Sequence, residues 1–523
     1  MGTATEQNER SRVDRHAIVI FYAIVIIKFA NNQQIEYINS MLESDVSDWS
    51  SLKKNVLNLP GLINQKNIDG VLMKIMVNNE KMDVARKFAN YLKSYKNELN
   101  LGAINGLLKY YYELSINSTL TDTEKEFICD TYDELYKKYT MLDSETCERL
   151  LHALCIVNEW EKALKVLENN SFSSTPTHSS YSTIIATLFK NNRKSEALNL
   201  IATSLKNNRP LLNKAFEEWI NFILRNYKDN NEKIKQLESI CLHLAKYSTV
   251  VPFLTAEKFR DTYKSLGWNA QYTSISKNRG QCNSCNNKLQ CLRLTEDEFL
   301  KLQKNVKDKL IVGKDLFLKT SPKELKKFLD FIESTAPYDV VLDVLNLFYM
   351  SARNSLTTRI EVLENVIDYF RANKKRILFL GRQHVLKWPK KSLNRILDKT
   401  SYFLTDDLSQ DDPYFITAAI LSGSHTDIVS KDLLRSHLYI LKDNELQSYF
   451  KKWQWQHQWN VFPSGKPPYF NIKPPLGFTP WAQKVNNVWH LPYEKREKTS
   501  GEIKDGIPDL NSWLCLNPNL KED

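Results

Sequence analysis

Apolar positions recur at the spacing of an α-helix from about residue 36 to residue 247, where short polar turns rich in Asn separate the segments. From residue 338 onward the pattern changes, because short unbroken apolar runs such as Val340–Leu342 alternate with helix-period segments. Such runs are typical of parallel strands in an α/β layer. The pattern therefore predicts a helical N-terminal region and an α/β C-terminal region.

A weak repeat runs through the helical region. The Ala-Leu pairs that begin at Ala163 and Ala197 lie 34 residues apart, and each pair follows an apolar helical segment and an Asn-containing turn. This period, with two helices per unit, predicts an α-solenoid in which the small Ala lets paired helices approach. Tetratricopeptide repeats, which usually bind peptides, and pentatricopeptide repeats, which bind single-stranded RNA, share the period.

The charge balance bears on this choice. Across 523 residues the formal net charge is +11, which favours a polyanionic partner. Together with the Asn-rich turns, the charge favours RNA for the helical region, and a solenoid that binds only protein is the alternative. The length predicts two to four domains. The eight cysteines do not form a disulfide framework, so we expect a reducing compartment.

The first 35 residues have a character of their own. Ala17–Ile27 is an apolar run preceded by Arg10, Arg12 and Arg15. It is short for a transmembrane helix and fits a signal-like or buried segment better. Acidic residues in the same segment are unlike a mitochondrial presequence. We therefore expect a targeting-like or disordered segment, and no stable insertion of the chain in a membrane.

Acidic residues follow the predicted strands. Asp343 and Asp432 stand where two strands end, and α/β sheets bind ligands at the carboxyl ends of their strands. Carboxylates that converge on one edge repel each other unless a cation lies between them, and Mg²⁺ prefers such oxygen ligands. The pair Asp411–Asp412, at the start of a predicted helix, and the pair Asp406–Asp407 are rival candidates for the same ion. The alternative is that these acids are ordinary helix caps and loop residues.

A pair of cysteines suggests a second metal site. Cys282 and Cys285 form a Cys-x-x-Cys turn in a polar loop, and two thiolates at this spacing can bind one tetrahedral zinc. Cys291 is the nearest further ligand, while His490 and Cys515, each beside a tryptophan, would complete a Cys₃His site from the far end of the chain. A redox pair or an unliganded pair is the alternative.

Six motifs in order along the C-terminal half resemble those of protein-only ribonuclease P, and in particular its animal mitochondrial type. The motifs are Asp339–Asn346, Leu380–His384, Asp406–Pro413, Ser430–His437, Trp489–Pro492 and Trp513–Cys515. The helical region resembles the pentatricopeptide domain of the same family. The resemblance implies an NYN/PIN-like nuclease domain that removes the 5′ leader of precursor tRNA by metal-dependent hydrolysis.

The resemblance also implies the site residues and the partners. The acids that match the family's catalytic Mg²⁺ (or Mn²⁺) site are Asp343, Asp411, Asp412 and Asp432, which leaves Asp406–Asp407 as flanking acids. The residues that match its structural zinc site are Cys282, Cys285, His490 and Cys515. Animal members depend on a tRNA methyltransferase subunit and a short-chain dehydrogenase-like subunit, and they act in the mitochondrial matrix.

These observations together predict a multidomain chain. The predicted parts are an N-terminal segment (1–35), a pentatricopeptide-like α-solenoid (36–265), a small zinc-bound central module (266–300 and 455–523) and an α/β NYN/PIN-like nuclease domain (301–454). One position departs from the family, which usually has Gly directly after the first aspartate, where this chain has Val344. A β-branched residue there limits close approach of the backbone to a ligand. An RNA-binding adaptor with a decayed nuclease domain is therefore the alternative function.

Overall fold

The chain forms two compact units, Met1–Ile201 and Ala202–Asp523. The computed structural model describes residues 33–43, 46, 48–94, 99–207, 209–291, 293–306, 322–350, 355–406, 411–430, 441, 444–464, 470–494 and 509–518. The apolar segment Ala17–Ile27 lies outside these residues. Among the helices that are described, none is both long and apolar enough to cross a membrane.

The first unit is built from helices. They are α1 (33–41), α2 (Trp49–Asn58), α3 (Ile68–Asn78), α4 (Met82–Lys93), α5 (Leu101–Asn117), α6 (Asp122–Lys138), α7 (Ser144–Ile156), α8 (Trp160–Ser173) and α9 (His178–Lys190), and α10 (Lys194–Lys206) crosses into the second unit. Helix α3 packs on α5, α5 on α7, and α7 on α9, while α8 pairs with α7. Stacked helix pairs are thus present, as the repeat predicted.

Two features of sequence explain how these helices stack. A Cβ atom on Gly70 would lie 2.6 Å from the carbonyl oxygen of Gly102, so glycine at this position lets α3 and α5 approach backbone to backbone. Ala163, the repeat alanine of α8, is fully buried. Gly70 thus lies at a close approach of two helices, and the matching role of the buried repeat alanine stays a prediction.

The turns inside the helix pairs share one geometry. Glu80, Asn158 and Asn192 have positive φ values of 58°, 65° and 59°, and the next backbone N–H bonds to the carbonyl five residues back. These bonds run from Lys81 to Met76, from Glu159 to Leu154 and from Arg193 to Leu188, each at 2.9 Å. This is a Schellman helix end, where Asn is tolerated better than most residues. The two asparagines thus serve the backbone, and their presence alone gives no support to RNA binding.

The second unit continues with three helices and a small sheet. The helices are α11 (Asn213–Asn226), α12 (Asn230–Lys246) and α13 (Phe253–Ser265). The sheet is antiparallel, with strands in the order β1-β10-β9-β8, and its members are β1 (Asn269–Thr273), β8 (Gln483–Val485), β9 (Val488–Pro492) and β10 (Trp513–Asn517). Chain segments about 200 residues apart in sequence therefore meet in one sheet.

A six-stranded sheet forms the α/β part, in the order β4-β3-β2-β5-β6-β7. Its strands are β2 (Val340–Asp343), β3 (Ile377–Arg382), β4 (Ser401–Thr405), β5 (Asp427–Val429), β6 (Gln458–Pro463) and β7 (Phe470–Lys473). All neighbours are parallel except β6 and β7. The alternation of strands and helices predicted from residue 338 onward is present, and the sheet continues past residue 454, the predicted end of the nuclease domain.

Helices cover the six-stranded sheet on both faces. They are α14 (Glu296–Val306), α15 (Pro322–Thr335), α16 (Val344–Tyr349), α17 (Leu356–Ala372), a 3₁₀ turn (Gln383–Lys387), α18 (Lys390–Leu397), α19 (Asp411–Ser422) and α20 (Asn444–His457). One apolar core includes α14, α15, α19 and α20, and a second includes α16, α17 and α18. The continuous apolar runs of β2 and β3 follow from this burial on both faces.

Candidate active site and metal centre

Asp343 is the last residue of β2, a central strand of the sheet. β2 pairs in parallel with β3 on one side and with β5 on the other, so the three strands end at one edge. The Asp343 side chain is only 4% exposed. A carboxylate at the carboxyl end of a central parallel strand stands where α/β folds bind ligands, as predicted.

Two hydrogen bonds orient the Asp343 carboxylate. The backbone N–H of Asn346, in the first turn of α16, donates to Oδ1 at 3.2 Å, so Asp343 caps that helix. The hydroxyl of Ser430, the residue directly after β5, donates to Oδ2 at 2.8 Å. These two hydrogen bonds help to fix the direction of the carboxylate, whose oxygens are ligands of the kind that Mg²⁺ prefers.

The other predicted acids are described less fully. Asp411 and Asp412 are the first two residues of α19, which packs on β2 and β3, but their side chains lie outside the described part of the chain. Asp432 also lies outside it. Ser430, two residues earlier in sequence, contacts Asp343. Of the four predicted acids, the geometry of the carboxylate is therefore known for Asp343 alone.

The rival acid Asp406 has a different environment. It follows β4, its backbone N–H donates to Glu324 at 2.6 Å, and its exposed carboxylate accepts from the side chain of Gln383 at 2.8 Å. β4 stands two strands from β2, which corresponds to roughly 10 Å at the usual strand spacing. Asp407 is outside the described residues.

Two further polar residues lie at the end of β3, the strand beside β2. Asp343 is paired with Leu380 in the strand register, and Arg382 ends the same strand two residues later. His384 lies in the 3₁₀ turn that follows. Both side chains are half-buried. An arginine and a histidine at this place in the chain could contact an RNA phosphate, and that contact is a prediction.

Val344 points into the core. Its side chain is fully buried within the core under α17, and a Cβ atom built on Gly381 would lie 3.6 Å from the Cβ of Val344. The glycine thus stands in β3, beside the valine. The side chain of Val344, the residue behind the decayed-nuclease alternative, therefore fills apolar space in the core. Val344 itself begins the first turn of α16.

The Cys/His cluster, Cys282, Cys285, His490 and Cys515, is brought together by the small sheet. Cys515 on β10 is paired directly with His490 on β9. Cys282 and Cys285 come from the turn that follows β1, which pairs with β10 on its other side. The ligand atoms of all four lie within 4.8 Å of one another, and Cys285 Sγ is 3.2 Å from His490 Nε2.

This geometry fits a tetrahedral zinc ion. Zn–S bonds of about 2.3 Å place tetrahedral ligands roughly 3.8 Å apart, within the range spanned here. Three of the four residues are buried, as expected for a closed structural site. Cys291 is not part of the group. The chain thus brings together the four residues predicted from the resemblance and leaves out the cysteine nearest in sequence.

The protonation of the sulfurs points the same way. The hydrogen bond with the Cys515 thiol lowers the pKa of Cys282 to about 3 and raises the pKa of Cys515. Burial raises the pKa of Cys285. Without a cation, therefore, one sulfur ionises easily and the other two do not. A divalent ion that stabilises several thiolates at once would remove this conflict.

One glycine gives the cysteine turn its shape. Gly280 has a φ of +66°, and a Cβ atom there would lie 2.6 Å from the ring of Phe478. Phe478 belongs to the apolar cluster that also contains Cys282 and Trp513. Sequence reasoning missed Phe478, although a Phe between two Pro-containing stretches was the available signal. It also missed the role of Ser430, which stands inside a quoted motif.

Comparison with known proteins agrees with this geometry. Residues 276–515 match the model of the protein-only RNase P family, a range that contains Asp343 and the whole Cys/His cluster. The match confirms the resemblance to the protein-only RNase P family that the six motifs indicated.

More specific relatives extend the likeness to most of the chain. The mitochondrial ribonuclease P catalytic subunit of Rattus norvegicus is 27% identical over 460 residues, which cover 86% of this chain and 75% of the relative. The Mus musculus subunit is 26% identical over the same lengths. In fold, the chain is similar to nuclear proteinaceous RNase P 2 of A. thaliana, with a TM-score of 0.57, 14% identity, and coverage of 87% of this chain and 99% of that one.

Proposed function

We propose that this chain is an endoribonuclease that removes the 5′ leader of precursor tRNA, as the catalytic subunit of mitochondrial ribonuclease P. The observation that carries the proposal is the family match over residues 276–515, together with a buried carboxylate, Asp343, held at the end of a central parallel strand. The similarity to two mitochondrial subunits over 86% of the chain supports both the reaction and a mitochondrial location, and we propose that the compartment is the matrix.

The proposed catalytic ion is Mg²⁺ or Mn²⁺, held by Asp343, Asp411, Asp412 and Asp432. Asp343 fits this role because its carboxylate is pre-oriented by two neutral donors. Helix α19, which begins with Asp411 and Asp412, packs on β2 and β3, and this packing supports a place for both acids near the same sheet. When bound, the ion supplies a Lewis acid for the scissile phosphate and lowers the pKa of a water nucleophile.

The chain's own residues supply orientation and charge. The carboxylates would hold the ion at the edge of the sheet. Arg382, the last residue of β3, and His384, in the turn after it, would contact the RNA phosphate. A guanidinium at that place would neutralise charge that develops on the phosphate oxygens. The domain is proposed to be of the NYN/PIN-like nuclease type.

For the remaining parts, zinc and RNA binding are proposed. Zinc in the Cys/His cluster would tie the turn after β1 to β9 and β10 and so close the small sheet. The stacked helix pairs of the first unit are proposed to be pentatricopeptide-like and to bind the tRNA body. Two partners are proposed, a tRNA methyltransferase subunit and a short-chain dehydrogenase-like subunit, because the chain is similar to two animal mitochondrial subunits.

The test is cleavage of a precursor tRNA. Purified full-length chain, with Mg²⁺ and with or without the two partners, is incubated with a precursor labelled at its 5′ end, and both new ends are mapped. We expect a single cut that leaves a 5′-phosphate on the tRNA, with weak activity until the partners are added. Tight tRNA binding without any cut, under all conditions, would favour the RNA-binding adaptor.

A further inference from the structure

β5 is a very short strand, and the residue directly after it, Ser430, contacts the candidate site. It has three residues, Asp427–Val429, and pairs with β2 on one side and β6 on the other. Its first residue is fixed by side chains: Asp427 accepts from the indole of Trp459 at 2.9 Å and lies 3.0 Å from Nδ1 of His457. The start of the strand is thus held from the junction of α20 and β6.

The end of β5 is held from the same junction. The amide of Gln458 donates to the carbonyl of Ser430 at 3.0 Å, and the amide of Gln454 donates to the side-chain oxygen of Gln458 at 2.7 Å. The Ser430 hydroxyl then donates to Asp343. A continuous series of hydrogen bonds therefore runs from Gln454 to the candidate metal-binding carboxylate.

All four members of this series are buried. Ser430 is fully buried, and Asp343, Gln458 and Gln454 are 4%, 6% and 7% exposed. Buried polar groups are costly unless they are paired, and networks of paired groups fix a single arrangement. Water cannot substitute easily for any member. The position of the Asp343 carboxylate thus depends on side chains more than 100 residues further along the chain.

We propose that Ser430 and Gln458 are positioning residues for the Asp343 carboxylate, which they hold in the direction needed to bind the catalytic ion. The inference rests on the proposed function. The Ser430 hydroxyl has one proton, and donating it to Oδ2 fixes the rotation of the carboxylate. Gln458 fixes the Ser430 backbone where the chain leaves β5 toward Asp432. Partners of this kind orient metal ligands and typically change metal affinity or activity by about 10- to 100-fold.

The first test replaces Ser430 by alanine. Ser430→Ala should raise the Mg²⁺ concentration at half-maximal cleavage by about 10-fold, and weaken Mn²⁺ binding to the RNA-free protein, measured by electron paramagnetic resonance, by a similar factor. The dissociation constant for precursor tRNA should not change. Ser422→Ala is the matched control, because Ser422 is also buried in this domain and its hydroxyl has no hydrogen-bond partner among the described residues.

The second test separates positioning from plain stability. Gln458→Leu should raise both metal midpoints, which are the Mg²⁺ concentration at half-maximal cleavage and the dissociation constant for Mn²⁺. The expected rise is about 3- to 10-fold, because the substitution removes the hydrogen bond to the Ser430 backbone. Gln483→Leu removes a glutamine that is equally buried and bonded, in the small sheet. It should lower the melting temperature and leave both metal midpoints at the wild-type value.

The outcomes distinguish this inference from the proposed function. If the wild-type complex cleaves precursor tRNA but Ser430→Ala and Gln458→Leu keep wild-type midpoints for cleavage and for Mn²⁺ binding, the positioning role is wrong and the nuclease stands. If the wild-type complex fails to cleave, the proposed function is wrong. Weakened Mn²⁺ binding in both variants, with unchanged binding in both controls, supports the positioning role.

Discussion

Two sites in this chain hold their side chains in opposite ways. One is the edge of the six-stranded sheet at Asp343, and the other is the Cys/His cluster. At the edge, a carboxylate is oriented by neutral donors, the N–H of Asn346 and the hydroxyl of Ser430, so its position is set before any ion arrives. In the cluster, three sulfurs and an imidazole stand within 4.8 Å of one another, and their pKa values conflict. We therefore expect a cation in the cluster to stabilise the fold, whereas a cation at the edge of the sheet would serve the proposed chemistry.

This difference separates chemistry from stability. A change at the edge should remove cleavage and leave the fold, because the sheet is held by two apolar cores. A change in the cluster should weaken the fold of the second unit first, because the small sheet joins the turn after β1 to strands near the end of the chain. The predictions below are arranged by the size of the expected effect.

The largest effect is expected from Asp343→Asn. The amide keeps the size of the side chain and removes its charge, so kcat should fall by about 1000-fold or more, which corresponds to roughly 4 kcal/mol of transition-state stabilisation. Single-turnover cleavage of precursor tRNA measures the loss, and filter binding should give an unchanged dissociation constant for tRNA.

The matched control for that variant is Asp406→Asn. Asp406 is exposed and stands two strands away, so its amide variant should cleave within about 3-fold of the wild-type rate. The reverse ranking of the two variants would assign the metal to the rival acids.

The next effect is expected in the cluster. Cys282→Ser should lower the free energy of unfolding of the second unit by roughly 3 kcal/mol, a part of the binding energy that structural zinc adds to folding. Zinc content, about one ion per chain in the wild type, should fall in the variant. Denaturation with and without a chelator measures the free energy of unfolding, and metal analysis of the purified protein measures the zinc content.

Cys291→Ser is the control for the cluster. Cys291 is half-buried and stands outside the cluster, so the variant should keep its zinc and its stability. A Cys282→Ser protein that stays fully stable but loses only cleavage would show that the cluster belongs to the chemistry after all.

The sequence predicts these two sites to different extents, and the reason is physical. Asp343 could be placed at a strand end because β2 is a continuous apolar run, a local signal. β6 could not, since Gln458–Pro463 mixes glutamine, tryptophan and asparagine and has no such run. Its place in the sheet is determined by contacts with β5 and β7, which are tertiary.

The cluster was predictable in its residues and not in its geometry. The spacing of Cys282 and Cys285 is a local signal, and the motifs indicated His490 and Cys515. The approach of His490 to Cys515 depends on the pairing of β9 with β10, which twenty intervening residues separate, and no local pattern specifies this pairing. The domain boundaries predicted from sequence stay predictions.

A smaller effect is expected from pH on the helix that supports the small sheet. α12 contacts β8, and its Glu238 accepts from Lys484 and from the Trp489 indole. The same helix carries His243, packed between Trp219 and Tyr247, and burial lowers the pKa of His243 to about 4.

The sign of the pH effect follows from that lowered pKa. Below the ordinary pKa of about 6.5 the unfolded chain takes up a proton that the folded chain does not. This stability is therefore present above pH 6.5 and is lost as the pH falls toward 4, and the loss at pH 5 is about 2 kcal/mol. Urea unfolding at pH 7 and pH 5 measures the loss. In His243→Gln the free energy of unfolding should depend less on pH. An equally steep loss of stability in that variant would mean that other groups cause the pH dependence.

The smallest effect is expected from Val344→Ala, which tests whether the valine after Asp343 impairs the nuclease. Because Val344 is fully buried beside Gly381, removing two methyl groups should cost about 1.5 kcal/mol of stability. Cleavage at saturating Mg²⁺ should stay within about 3-fold of the wild-type rate, since the Asp343 carboxylate keeps both of its donors. A variant that cleaves ten times faster than wild type would mean that the valine keeps the backbone away from the ion. The edge of the sheet would then be an impaired metal site, and not a site already arranged to bind one.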